Sequence, residues 1–135
     1  HTGFRRYERV VPDTVATAIR IGNPANYPRA RQAIEETDGY VEQVSDDEIL
    51  EAKVVVDRAG IGCEPASAAT VAGARKLVAR GIIRRDDVVV GILTGHLMKD
   101  VETTMRAHAR QAASTVIVSA RAEAVREVLG RAEGW

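Results

Sequence analysis

The apolar run Val88–Leu93 ends in Thr94-Gly95-His96, which presents a hydroxyl, a bare backbone and an imidazole in immediate succession. In parallel α/β sheets ligands bind beyond the carboxyl ends of strands, so this turn is the first place where the chain could do chemistry. His96 could serve as a base or donate to a phosphate, and an ordinary strand-to-loop turn would read the same way. The second place is Gly62-Cys63-Glu64-Pro65-Ala66-Ser67. Pro65 suits the first position of a helix, whose N-terminal N–H groups attract anions. Glu64 and Ser67 would then either line a pocket or cap that helix. Cys63 reads as a small buried hydrophobe, because the carboxylate beside it raises a thiol pKa rather than lowering it. The third place is Ala16-Thr17-Ala18-Ile19-Arg20-Ile21-Gly22-Asn23-Pro24, where small residues leave room for a flat ligand against the backbone. Arg20 could hold a phosphate or carboxylate there, or pair with an acid.

Several kinds of chemistry lack their residues in this chain. The three lysines are Lys53, Lys76 and Lys99; the first two fall on predicted helices among charged neighbours, and none is set for Schiff-base chemistry. There is no P-loop and no Gly-x-Gly-x-x-Gly cradle for a phosphate. Asp46-Asp47-Glu48 resembles a metal cluster at first sight, but Ser45 before it and Glu48 three residues on make a capping box, and no metal is assigned.

The elements that must position these residues follow from spacing and turn chemistry. Pro12-Asp13-Thr14 opens a helix that Gly22-Asn23-Pro24 stops. A second helix runs from about Tyr27 to Thr37, and Tyr40–Val44 reads as a short strand. Ile49, Ala52, Val55/Val56 and Ala59 recur at helical spacing from the Ser45 cap to Gly60. Pro65 begins another helix that runs to Gly81, with small residues in its early turns. Val88–Leu93 fits a strand buried on both faces, Thr115–Val118 a further strand, and Ala120–Leu129 a terminal helix. Strands alternating with helices predict an α/β fold with a layered parallel sheet and flanking helices.

Composition narrows the class of partner. The 135 residues carry 19 Lys+Arg against 19 Asp+Glu, which argues against nucleic acid and against a polybasic membrane surface. Five aromatic residues are too few for a base-stacking platform. One cysteine excludes an intrachain disulfide and suits a reducing, cytoplasmic setting. No apolar run approaches the roughly 20 residues of a membrane span.

Four ordered motifs resemble the carboxy-terminal part of the threonine synthases, pyridoxal-phosphate enzymes of the tryptophan-synthase-β-like fold (fold type II). They are Pro12 through Pro24, Ser45–Ala52, Cys63-Glu64-Pro65-Ala66-Ser67-Ala68-Ala69 and Leu93-Thr94-Gly95-His96. The resemblance divides the chain into residues 1–10, which do not match, and 11–135. It implies pyridoxal phosphate as cofactor, with Thr94 placing its hydroxyl on the pyridine nitrogen, Ala18 against one face of the ring, and Glu64, Pro65 and Ser67 lining the pocket. It implies conversion of O-phosphohomoserine and water to L-threonine and phosphate, in a cytoplasmic homodimer. The Schiff-base lysine and the phosphate loop of that family lie upstream of the matching region, so no catalytic lysine is expected here and an amino-terminal half is the expected partner. Two rivals stand beside this reading: a free-standing binding or oligomerisation domain of the same descent, and a threonine dehydratase, against which the Ala16–Pro24 string weighs. Where the family commonly has Gly-His-Gly-Leu-Lys-Asp-Pro, this chain has Gly95-His96-Leu97-Met98-Lys99-Asp100-Val101, which withdraws backbone freedom at Leu97.

Overall fold

The computed structural model describes residues 8–110 and 117–131. Among them are five α-helices: α1 (Tyr27–Glu36), α2 (Asp46–Arg58), α3 (Pro65–Ala79), α4 (Val101–Arg110) and α5 (Ala122–Arg131). Two single turns of 3-10 helix accompany them, Thr17–Ile19 before α1 and Leu97–Lys99 between α3 and α4.

Helix α2 is the organising element, and local chemistry explains its start. The Ser45 hydroxyl accepts from the Glu48 N–H while the Glu48 carboxylate accepts from the Ser45 N–H, closing the expected capping box. We expect Ser45→Ala to cost about 1 kcal/mol and to lower the thermal midpoint by about 4 °C, measured by circular dichroism. Stepping 100° per residue, α2 turns one apolar stripe, Ile49, Ala52 and Val56, toward Ala68 and Ala72 of α3. A second stripe, Leu50 and Val54, meets Ala107 of α4. Small residues at the α2–α3 seam let the two helices approach closely. Between the two stripes lie Lys53 and Asp57, one turn apart.

Asp46 does more than favour the positive end of α2. Its carboxylate accepts from the Thr14 hydroxyl (2.6 Å) and from the Val15 N–H (3.0 Å). The segment expected to be a helix from Pro12 is therefore pinned in an irregular course, and only Thr17–Ile19 completes a turn. Arg20 donates from its guanidinium to the Thr14 carbonyl oxygen, which makes it a local brace.

The expected parallel sheet is not formed among the described residues. Val88–Leu93 has no ladder partner, and Val88, Val90 and Ile92 are 94%, 83% and 72% exposed. A buried parallel strand needs a neighbour on each side, and the only β-type pairing among the described residues is the single antiparallel bridge between Cys63 and His96. Tyr40–Val44 is likewise no strand: Lys76 Nζ donates to the Gln43 carbonyl oxygen (2.8 Å) and Arg80 binds Glu42 and the Tyr40 hydroxyl, so side chains of α3 take the place of a neighbouring strand. Of the expected strand Thr115–Val118, Thr115 and Val116 lie outside the described residues and the remainder is irregular, as do residues 1–7 of the amino-terminal segment. The terminal helix is present as α5. No helix among the described residues is long and apolar enough to cross a membrane.

Candidate cofactor site

The amino terminus of α3 and the Thr94 turn meet through one hydroxyl. Pro65 occupies the first helical position and is buried, which places Ser67 two residues into the first turn. Ser67 could have capped its own helix, but its Oγ accepts instead from the Thr94 N–H (3.0 Å) and the Gly95 N–H (3.1 Å). The Thr94 hydroxyl lies 3.5 Å from the same oxygen. Glu64 adds a backbone tie, its N–H donating to the Gly95 carbonyl oxygen (2.9 Å). The Glu64 side chain folds over Gly95: a Cβ there would lie 2.0 Å from Glu64 Cδ, so a larger residue would have to displace that carboxylate. Lys99 Nζ, 3.1 Å from Glu64 Oε2, holds the carboxylate in that position.

Four of the five expected pocket residues, Glu64, Pro65, Ser67 and Thr94, are therefore brought to one place, with Thr94 exposed and the other three buried. Ala18 sits on a separate segment, the 3-10 turn Thr17–Ile19, which packs against α3 and leaves its methyl exposed. His96 is exposed, and its Nδ1 accepts from the Met98 N–H (3.2 Å), which caps the Leu97–Lys99 turn. Leu97, in place of the family's second glycine, adopts this turn without left-handed backbone. The relief is supplied opposite, at Gly62 (φ +63°), where a Cβ would come within 2.3 Å of Leu97 Cδ2.

Lys53 lies on α2 beside charged Asp57, as expected, but its burial is not evident from the sequence. The residue is 0% exposed. Its Nζ donates to Asp57 Oδ2 (3.0 Å) and to the Cys63 carbonyl oxygen (2.6 Å). Asp57 also accepts from the Cys63 N–H (3.3 Å) and stands 2.9 Å from His108 Nε2 of α4. Burial pushes the Asp57 carboxyl up, but the hydrogen bonds of His108 and Lys53, the Lys53 charge and the Cys63 N–H together outweigh it and hold the carboxyl below its usual range. Burial raises the Cys63 thiol, helped by Asp57 and Glu64, as expected of an inert cysteine. Helix α4 itself was missed, although Asp100 before Val-Glu-Thr is a capping signal; its Oδ1 accepts from the Thr103 N–H (3.1 Å).

The donor set fits the ring end of pyridoxal phosphate: an exposed neutral hydroxyl at Thr94 on a braced turn, and an exposed small side chain at Ala18. The lysines are otherwise engaged, Lys53 as above, Lys76 with Glu48 and Gln43, and Lys99 with Glu64. Residues 1–95 match the family model described as pyridoxal-phosphate dependent enzyme, and the chain belongs to that family, whose members use this cofactor. It is similar to the threonine synthase of Methanosarcina acetivorans, with 51% identity over 124 residues that cover 90% of this chain and 30% of the relative. It is 53% identical over 97 residues to the threonine synthase of Methanocaldococcus jannaschii, covering 71% and 24%. With the threonine synthase of Halalkalibacterium halodurans it shares 46% over 95 residues, covering 70% and 27%. The chain thus spans less than a third of the length of these relatives.

Proposed function

We propose that residues 11–135 are the carboxy-terminal portion of a threonine synthase, which converts O-phosphohomoserine and water to L-threonine and phosphate and is complete only with a lysine-bearing amino-terminal part. The observation that carries this reading is the Thr94 turn, held by Ser67 and Glu64 in a chain half identical to threonine synthases yet spanning under a third of them. Pyridoxal phosphate, when bound, supplies the electron sink for carbanion chemistry at the substrate. The chain's own residues orient it. Thr94 places its hydroxyl at the ring nitrogen, and a neutral partner there leaves the ring less electron-withdrawing than a carboxylate would. Ala18 lies against the ring face, where a larger side chain would clash. Ser67 fixes the backbone of Thr94, while Glu64 and Pro65 close the wall beside it. The same reading completes the layered sheet: Val88–Leu93 becomes an inner strand once the amino-terminal part supplies its neighbours. It also implies a homodimer in the cytoplasm.

The test separates the parts. The purified chain, given pyridoxal phosphate and then borohydride, is expected to yield no adduct at a specific lysine and to release no phosphate from O-phosphohomoserine. Combined with the amino-terminal part, it is expected to release phosphate and form threonine. A borohydride-trapped adduct at Lys53, Lys76 or Lys99, or a combined protein without turnover, overturns the reading.

A further inference from the structure

The cluster of Lys53, Asp57 and His108 grips the backbone immediately behind the Thr94 turn. Lys53 Nζ donates to the Cys63 carbonyl oxygen (2.6 Å), and the Cys63 N–H donates to Asp57 Oδ1 (3.3 Å), so both backbone polar groups of Cys63 end on one ion pair of α2. Cys63 pairs with His96 in the antiparallel bridge, and the next N–H, that of Glu64, donates to the Gly95 carbonyl oxygen (2.9 Å). Gly95 and Thr94 then hang from Ser67 Oγ. At the other end Asp57 Oδ2 lies 2.9 Å from His108 Nε2, and Asp57 is 9% exposed at its side chain. His108 belongs to α4, beyond the last residue that the family model matches.

We propose that Lys53, Asp57 and His108 are positioning residues for the cofactor end of the site: α4 holds Asp57, Asp57 and Lys53 hold Cys63, and Cys63 sets the turn that carries Thr94. The proposal rests on the reading that Thr94 meets the cofactor ring. Its physical basis is that hydrogen bonds to charged groups in a dry setting are stiff and directional, so the turn inherits its place from α2 and α4 rather than from its own short loop. Removing His108 leaves the Lys53–Asp57 pair intact but takes away one of its anchors, which loosens the loop without exposing the core.

Cys63 is the single cysteine of the chain and is 1% exposed, so a thiol reagent reads the opening of this loop directly. His108→Ala is expected to raise the Cys63 labelling rate about tenfold, the loss of one hydrogen bond to a charged group. His108→Gln, whose amide still donates to Asp57, restores slow labelling. In the complete enzyme, His108→Ala is expected to move the visible absorption band of bound pyridoxal phosphate in the same direction as Thr94→Val, and to lower kcat with little change in KM. Unchanged labelling in His108→Ala overturns the proposal, whatever Thr94→Val does. Faster labelling with a band that moves only in Thr94→Val also overturns it, since the loop would then open without disturbing the ring. A band that moves in neither variant removes Thr94 from the cofactor, and the proposal falls with that reading.

Discussion

Lys53→Met is expected to destabilise the chain by about 3 kcal/mol, at the lower end of the 3–5 kcal/mol that follow when one partner of a buried ion pair is removed. The ammonium is wholly buried, and its loss strands the Asp57 carboxylate with His108 and one backbone N–H as its remaining partners. It also leaves the Cys63 carbonyl oxygen without its 2.6 Å donor. Methionine matches the length and shape of the lysine stem, so the loss isolates charge and hydrogen bonding from packing. With a urea slope of about 1–3 kcal/mol per molar, the midpoint should fall by roughly 1–3 M. Adding Asp57→Leu to Lys53→Met should recover part of the loss, because an apolar pair needs no compensation, although the Cys63 backbone groups stay unsatisfied. A midpoint equal to that of the parent chain would show that the ammonium contributes nothing to the fold.

Gly95→Ala carries the second large effect, and its target is the site rather than the core. The new methyl would fall 2.0 Å from Glu64 Cδ and 2.1 Å from its Oε1. The Glu64 carboxylate has to swing outward and leave Lys99, and the Thr94 turn loses the wall against which it rests. A displacement of about 1 Å at a positioning group costs on the order of 100-fold in rate, so the complete enzyme should lose one to two orders of magnitude in kcat. Truncating the obstacle supplies the control. Gly95→Ala combined with Glu64→Ala should behave much like Glu64→Ala alone, since the two residues are in contact and their effects do not add. Strict additivity in that double-mutant cycle would show that the close approach of Glu64 to Gly95 has no functional weight.

The residues show which parts of this architecture a sequence can reveal. Helix α2 was legible because Ser45 and Glu48 complete their capping box within three residues of each other. Helix α3 was legible because Pro65 suits only the first turn. Both signals are local. Val88–Leu93 has the composition of a buried strand, but a strand is defined by its neighbours, and among the described residues none pairs with it. The helix and the charged neighbour of Lys53 are legible, but its burial is not, because that depends on Cys63, ten residues on, and on Asp57 and His108, which are 51 residues apart in sequence. Thr94 stands out by position and resemblance, whereas the Ser67 hydroxyl that holds its backbone could equally have been a helix cap. The difference lies 27 and 28 residues away, in the Thr94 and Gly95 N–H groups.

The exposure of Val88, Val90 and Ile92 has a bearing on the life of the polypeptide before it meets any partner. Six consecutive residues, Val88 to Leu93, carry no charge and no proline, and are rich in β-branched side chains; largely exposed and without a ladder, they have the composition of a segment prone to cross-β stacking. Arg84-Arg85-Asp86-Asp87 stands immediately before them, a block of four charges that opposes stacking of identical chains in register. Any docking of this stretch would therefore compete with aggregation, against which the four charged residues act as gatekeepers.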